Sequence, residues 1–79
     1  MNDKRQVNTI ANEILSIWKK PYFGAVPYLN AMRELHTIND MHMYDDGKSI
    51  VRYFLANAST FKGDDAKRLK TELKSMLKG

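Results

Sequence analysis

Val7, Ile10, Ala11, Ile14, Leu15, Ile17 and Trp18 recur at the three- and four-residue spacing of one helical face, and no other feature limits the possible folds as strongly. At about 100° per residue they fill an arc of roughly 160°, so a helix from about residue 3 to residue 19 must lay one side against apolar material. Three further segments repeat the pattern. Tyr28, Leu29, Ala31, Met32 and Leu35 share one side of a helix over residues 27–36. Ile50, Val51, Tyr53, Phe54, Leu55 and Ala58 spread over roughly 200°, which is more than one face needs and marks a third helix as the centre of the fold. Ala66, Leu69, Leu73, Met76 and Leu77 line a fourth helix to the C-terminus. The expected fold is all-α, a compact bundle of about four helices, three long and one shorter, forming a single helical domain over residues 1–79.

Local chemistry punctuates these segments. Asp3 and Lys19-Lys20 suit the two ends of the first helix dipole, and Pro21 biases Lys20 away from helical geometry. Residues 21–27 form a connector stiffened by Pro21 and Pro27, with Pro27 suited to the first turn of the next helix. Over residues 37–45 the periodicity disappears. Ile38, Met41, Met43 and Tyr44 alternate loosely with Asn39, Asp40 and His42, but a lone strand would have no partner, so the stretch reads as a loop. Asp45 or Asp46 then caps the third helix, with Gly47 in its first turn. Residues 59–63 break that helix and leave Phe61 free to fold back onto the core. Asp64 or Asp65 caps the fourth.

A chain of 79 residues buries only about 60% of the surface its unfolded form exposes, so self-association would supply useful buried area. The sequence has no cysteine. Disulfides and Cys-based zinc or redox sites are thereby excluded, which fits a reducing, cytoplasmic location. No stretch approaches the roughly 18 apolar residues of a membrane helix, and the charged start Met1-Asn2-Asp3-Lys4-Arg5 leads into an amphipathic segment and not an apolar signal core, so neither secretion nor membrane insertion is expected. Asn57-Ala58-Ser59 matches a glycosylation acceptor, but without an export signal it reads as part of a helix end.

Thirteen Lys and Arg face nine Asp and Glu, a formal charge of +4 that modestly favours anionic partners. Lys67, Lys70, Lys74 and Lys78 fall within a stripe of roughly 80° on the fourth helix, with Arg68 and Lys62 nearby in sequence. This stripe is a candidate anion or nucleic-acid surface. Lysine is also the ordinary solvated residue of an exposed helix, and late in a helix it complements the dipole. Direct base readout needs Arg, Asn or Gln at the start of a recognition helix, whereas Gly63-Asp64-Asp65 is acidic. Contact with a phosphate backbone is the form nucleic-acid binding would take.

His36, Asp40, His42, Asp45 and Asp46 are the one dense set of metal-ligand types. Their spacing matches no common site, and aligning Gly47 with the turn glycine of an EF-hand puts Tyr53 where Glu is required. They are therefore expected to be loop and cap residues. Ser49, Ser59, Thr60 and the two histidines form no nucleophile–base–acid pattern, and no phosphate-cradling glycine loop occurs. Most aromatic residues sit at core spacing. Tyr22, Phe23 and Tyr44 lie in connectors instead and are the candidate protein-binding patch or dimer interface, with Met41 and Met43 as adaptable neighbours.

Two segments carry a resemblance. They are Lys20-Pro21-Tyr22-Phe23-Gly24-Ala25-Val26-Pro27-Tyr28-Leu29-Asn30-Ala31-Met32 and Asp45-Asp46-Gly47-Lys48-Ser49-Ile50-Val51-Arg52-Tyr53-Phe54-Leu55-Ala56-Asn57-Ala58-Ser59-Thr60-Phe61-Lys62-Gly63. With them the chain resembles, over most of its length, small bacteriophage- and prophage-encoded proteins of unknown function. The resemblance implies a phage or integrated element in a bacterium as the genetic setting, and it carries no catalytic residue across. The leading expectation is a non-enzymatic binding or adaptor protein that works through a protein partner or self-association, with no cofactor, membrane or small-molecule substrate. The alternative is a nucleic-acid-binding accessory protein using its basic C-terminal helix.

Overall fold

The helix periodicity becomes four helices in a computed structural model that describes residues 5–43 and 45–78. Asp3 and Tyr44 lie outside the described residues. Helix α1 (Val7–Ile17) buries Val7, Ile10, Ala11 and Ile14, the centre of the apolar arc. Its first amides have no side-chain cap. Instead Val7 and Asn8 donate to the carbonyls of His36 and Leu35 at 3.1 and 2.9 Å, so the chain leaving the second helix caps the first. The helix stops short of Lys19 because Trp18 departs from helical geometry at ψ 89. Its indole stacks on Phe61 at 4.9 Å and meets Phe54 edge-on at 6.4 Å.

Helix α2 (Val26–Met32) carries Pro27 in its first turn, as expected, but is shorter than its apolar pattern. Beyond Met32 the bonds tighten to a three-residue span, with the amides of Glu34 and Leu35 donating to Ala31 and Met32. Leu35 remains fully buried through that turn.

The stretch after α2 corrects the all-α expectation to a mostly helical fold. Strands β1 (Met41–His42) and β2 (Asp45–Asp46) pair antiparallel, Met41 opposite Asp46 and His42 opposite Asp45. The strand finds its partner because the chain reverses tightly between His42 and Asp45, and Met43 there takes φ 57. Left-handed geometry of that kind is what a two-residue hairpin turn requires.

Asp46 then caps helix α3 (Gly47–Ala56) by accepting the Ser49 amide at 2.7 Å. Gly47 is seated against the preceding loop, donating its amide to Asp40 at 2.7 Å. Asp40 braces the same loop by accepting the His36 and Thr37 amides at 2.9 and 3.2 Å and the Thr37 hydroxyl at 3.1 Å. Helix α4 (Asp64–Lys78) starts differently from expectation. Gly63, at φ 112, precedes it, and its carbonyl accepts the Lys67 amide at 3.0 Å. Asp64 and Asp65 therefore occupy the first turn, where they complement the dipole.

Consecutive helices pack against one another, most extensively α2 on α3, and α4 returns to close on α1. Among the described residues, nineteen apolar side chains form one buried cluster, including Phe61 folded back from the α3–α4 connection. A Cα radius of gyration of 11.4 Å agrees with the roughly 11.6 Å typical of a compact chain of this length. Helix α3 contributes Ile50, Val51 and Phe54 to the core, yet Tyr53, expected at core spacing, is 52% exposed. Among the described residues, no helix is long and apolar enough to cross a membrane.

Candidate binding surfaces

Pro21 and the turn that follows it present two aromatic rings outward. Phe23 is 79% exposed and Tyr22 44%, and their centroids lie 4.8 Å apart. The third member of the expected patch, Tyr44, lies outside the described residues. A second pair lies nearby in the fold: Tyr28 of α2, half-buried against the core, and the exposed Tyr53 of α3 meet at 5.5 Å. The two pairs are joined across the end of α3. A Cβ placed on Gly24 would lie 2.6 Å from Cε2 of Tyr22 and 2.9 Å from Oδ1 of Asn57, so both groups crowd over that glycine. Asn57 stands one turn beyond Tyr53 and donates its side-chain amide to the Tyr53 carbonyl at 2.9 Å. The result is an aromatic corner formed by the 22–24 turn, α2 and α3. Val26, at the first position of α2, is also exposed there.

Tyr53 was detectable in principle. It lies at one edge of the 200° arc of α3, and the remaining apolar positions span only about 140°. Met41 and Met43 are exposed on the hairpin at the opposite end of α3.

Helix α4 has two chemically distinct flanks. Toward α1, Arg5 makes a paired contact with Glu72, through Nε at 2.9 Å and Nη2 at 2.6 Å, and reaches Glu13 at 2.7 Å. Arg68 meets the other Glu13 oxygen at 2.7 Å and Asp65 at 3.3 Å. The Arg68 and Arg5 guanidiniums hold the Glu13 carboxyl below the usual carboxylate range. Arg68 is thus committed to α1 and takes no part in the lysine stripe beside it in sequence.

On the other flank, Lys67, Lys70 and Lys74 of the stripe join Lys62 around a shallow depression of about 390 Å³, with Thr71 beside them. Lys78 continues the row one turn beyond Lys74 and is exposed. Nζ of Lys70 sits over the Phe61 ring, 5.7 Å from its centroid. Burial, with the neighbouring charges of Lys74 and Lys62, lowers the proton affinity of Lys70. Sequence spacing alone placed Lys62 near this stripe; the fold-back of Phe61 brings it onto the rim.

The metal-ligand types take up other work. Asp40 and Asp46 spend their carboxylates on backbone amides, which hold both below the usual carboxylate range. His42 approaches Glu34 at 3.6 Å and His36 approaches Asp40 at 3.8 Å, as separate pairs. Among the described residues, no group of three such side chains gathers at a metal-binding spacing. A cleft of about 330 Å³ between the start of α1 and the 36–39 loop is lined by Arg5, Gln6, His36, Thr37, Asn39 and Lys48 among others. Arg5, its strongest cation, is already neutralised by Glu13 and Glu72.

Comparison with known protein families, curated proteins and solved structures finds no match.

Proposed function

We propose that the chain is a non-enzymatic adaptor that docks a protein partner through the aromatic corner of Tyr22, Phe23, Tyr28 and Tyr53. The observation that carries this is the exposure of Phe23 at 79%, in ring contact with Tyr22, on a fold whose core is complete without either. Aromatic side chains bury large areas at low conformational cost, and they dominate the energetics of protein interfaces. An exposed cluster held by prolines and helix ends is also largely pre-organised, which reduces the entropy lost on binding. The buried residues are all apolar apart from Gly47 among those described, so the chemistry of the molecule lies on its surface. A phage or prophage origin, in keeping with the sequence resemblance, would place the partner in the bacterial cytoplasm.

The test is the double variant Phe23→Ser/Tyr53→Ser, expressed in bacterial cells with a small tag. The wild-type chain should elute from a native extract in a complex larger than its own 9.2 kDa. The variant should elute at the size of the free chain, with little change in its melting temperature. Identical elution of the two proteins would overturn the proposal.

A further inference from the structure

The lysine flank of α4 is a second surface, independent of the aromatic corner. Its charge is uncompensated for a structural reason. Asp65 and Glu72 of α4 and Glu13 of α1 are all drawn to Arg5 and Arg68 on the opposite flank. Among the described residues, no carboxylate comes within 4.0 Å of the ammonium of Lys62, Lys67, Lys70 or Lys74. These are four of the thirteen Lys and Arg of the chain. They are gathered around one depression, with Lys70 partly buried and its ammonium over the Phe61 ring. Like charges crowded without a counter-charge are relieved by a bound anion.

We propose that the groove of Lys62, Lys67, Lys70 and Lys74 binds the sugar–phosphate backbone of a nucleic acid without reading its bases. The row continues to Lys78, so the basic edge of α4 runs for about 16 Å. A duplex presents about ten phosphates over that length, both strands counted. Thr71 adds a hydroxyl donor of the kind that accompanies lysine at phosphates. The composition of the groove favours nucleic acid over an anionic membrane. Its one apolar side chain, Phe61, is only 2% exposed, so nothing projects that would insert among lipid chains. The same burial leaves no ring for bases to stack on, and the acidic Asp64 and Asp65 at the helix start oppose base readout.

The experiment measures anisotropy of labelled mixed-sequence DNA, as duplex and as single strand, with the full chain between 50 and 200 mM salt. Four phosphate contacts give a slope of about −3.6 in log K against log salt on duplex, a loss on the order of 10²-fold across that range. The variant Lys67→Gln/Lys70→Gln/Lys74→Gln should bind at least about 10-fold more weakly at 50 mM, with a slope near −1. A charge-matched control, Lys19→Gln/Lys20→Gln/Lys48→Gln, should keep most of the affinity and slope. Should the triple variant melt below the assay temperature, Lys67→Gln and Lys74→Gln alone should each reduce the slope by about 1. The proposal is overturned by absent binding at 50 mM, by equal loss in the control, or by tighter binding to phosphatidylserine vesicles than to either DNA.

Discussion

Gly47 opens α3 at a position where alanine would ordinarily improve the helix by up to about 1 kcal/mol, less at the first residue than in the interior. The structure reverses that sign. A Cβ on Gly47 would lie 2.5 Å from the carbonyl oxygen of Ile38 and 3.2 Å from that of Asp40. Both contacts are backbone, so no side chain can swing aside. The loop is also held in place, by the Gly47 amide on the Asp40 carbonyl at 2.7 Å and by the Asp40 carboxylate on the His36 and Thr37 amides. Forcing extra volume into such a seat costs about 1–3 kcal/mol, and losing the Gly47 hydrogen bond adds about 1. Set against the propensity gain, Gly47→Ala should destabilise the protein by about 1–3 kcal/mol. For a chain of this size each kcal/mol moves the melting temperature by roughly 4–8 °C, so a loss of about 2 kcal/mol lowers it by about 8–16 °C. Thermal unfolding followed by circular dichroism measures this directly. Lys48→Ala, one residue on and exposed, is the control and should stay within about 0.5 kcal/mol of wild type. A Gly47→Ala protein that melts at or above the wild-type temperature would refute the seating of α3 on the 38–40 loop.

Phe61→Ala removes the ring between Trp18 and Lys70 and should cost about 3–5 kcal/mol, a large part of the roughly 4–12 kcal/mol expected for 79 residues; urea denaturation should show a steep loss, and an unchanged midpoint would contradict the fold-back. Glu13 releases its proton more readily in the folded state than its ordinary value of 4.5 implies, so its contribution is present above about pH 4.5 and is lost as the pH falls through the depressed value. Glu13→Gln should therefore show a flatter fall in melting temperature below pH 4.5 than wild type, and parallel curves would count against the Arg5–Glu13–Arg68 link. Met43 holds φ 57 in the hairpin turn, so Met43→Asn should raise the melting temperature by a few degrees and Met43→Val should lower it; the reverse order would disprove the two-residue turn.

The apolar faces of α1, α3 and α4 were legible in the sequence because a 3.6-residue period needs only local information, and so was the fold-back of Phe61 after the break at residues 59–63. The helix ends were not. Trp18 leaves α1 to meet Phe61, 43 positions along the chain, and a contact of that span has no local signature. The hairpin escaped because the partner of Met41–His42 is another strand of only two residues, Asp45–Asp46, too short to show in the sequence as a second strand. The role of Gly47 depends on where the 38–40 loop passes, which spacing within α3 does not encode. For the surfaces, connector aromatics pointed to Tyr22 and Phe23, while Tyr53 was hidden inside an overly wide apolar arc. The lysine stripe followed from helix geometry alone. Its isolation from carboxylates did not, because it rests on the pairing of Arg5 with Glu72 across 67 positions.

Photo-crosslinking from position 23 tests the proposed docking surface most directly. A photoreactive phenylalanine analogue at Phe23 should give one discrete adduct with a protein partner in bacterial cells. The same analogue at Thr9, exposed on α1, should give none. Absence of an adduct at position 23, or the same adducts from both positions, would contradict the account.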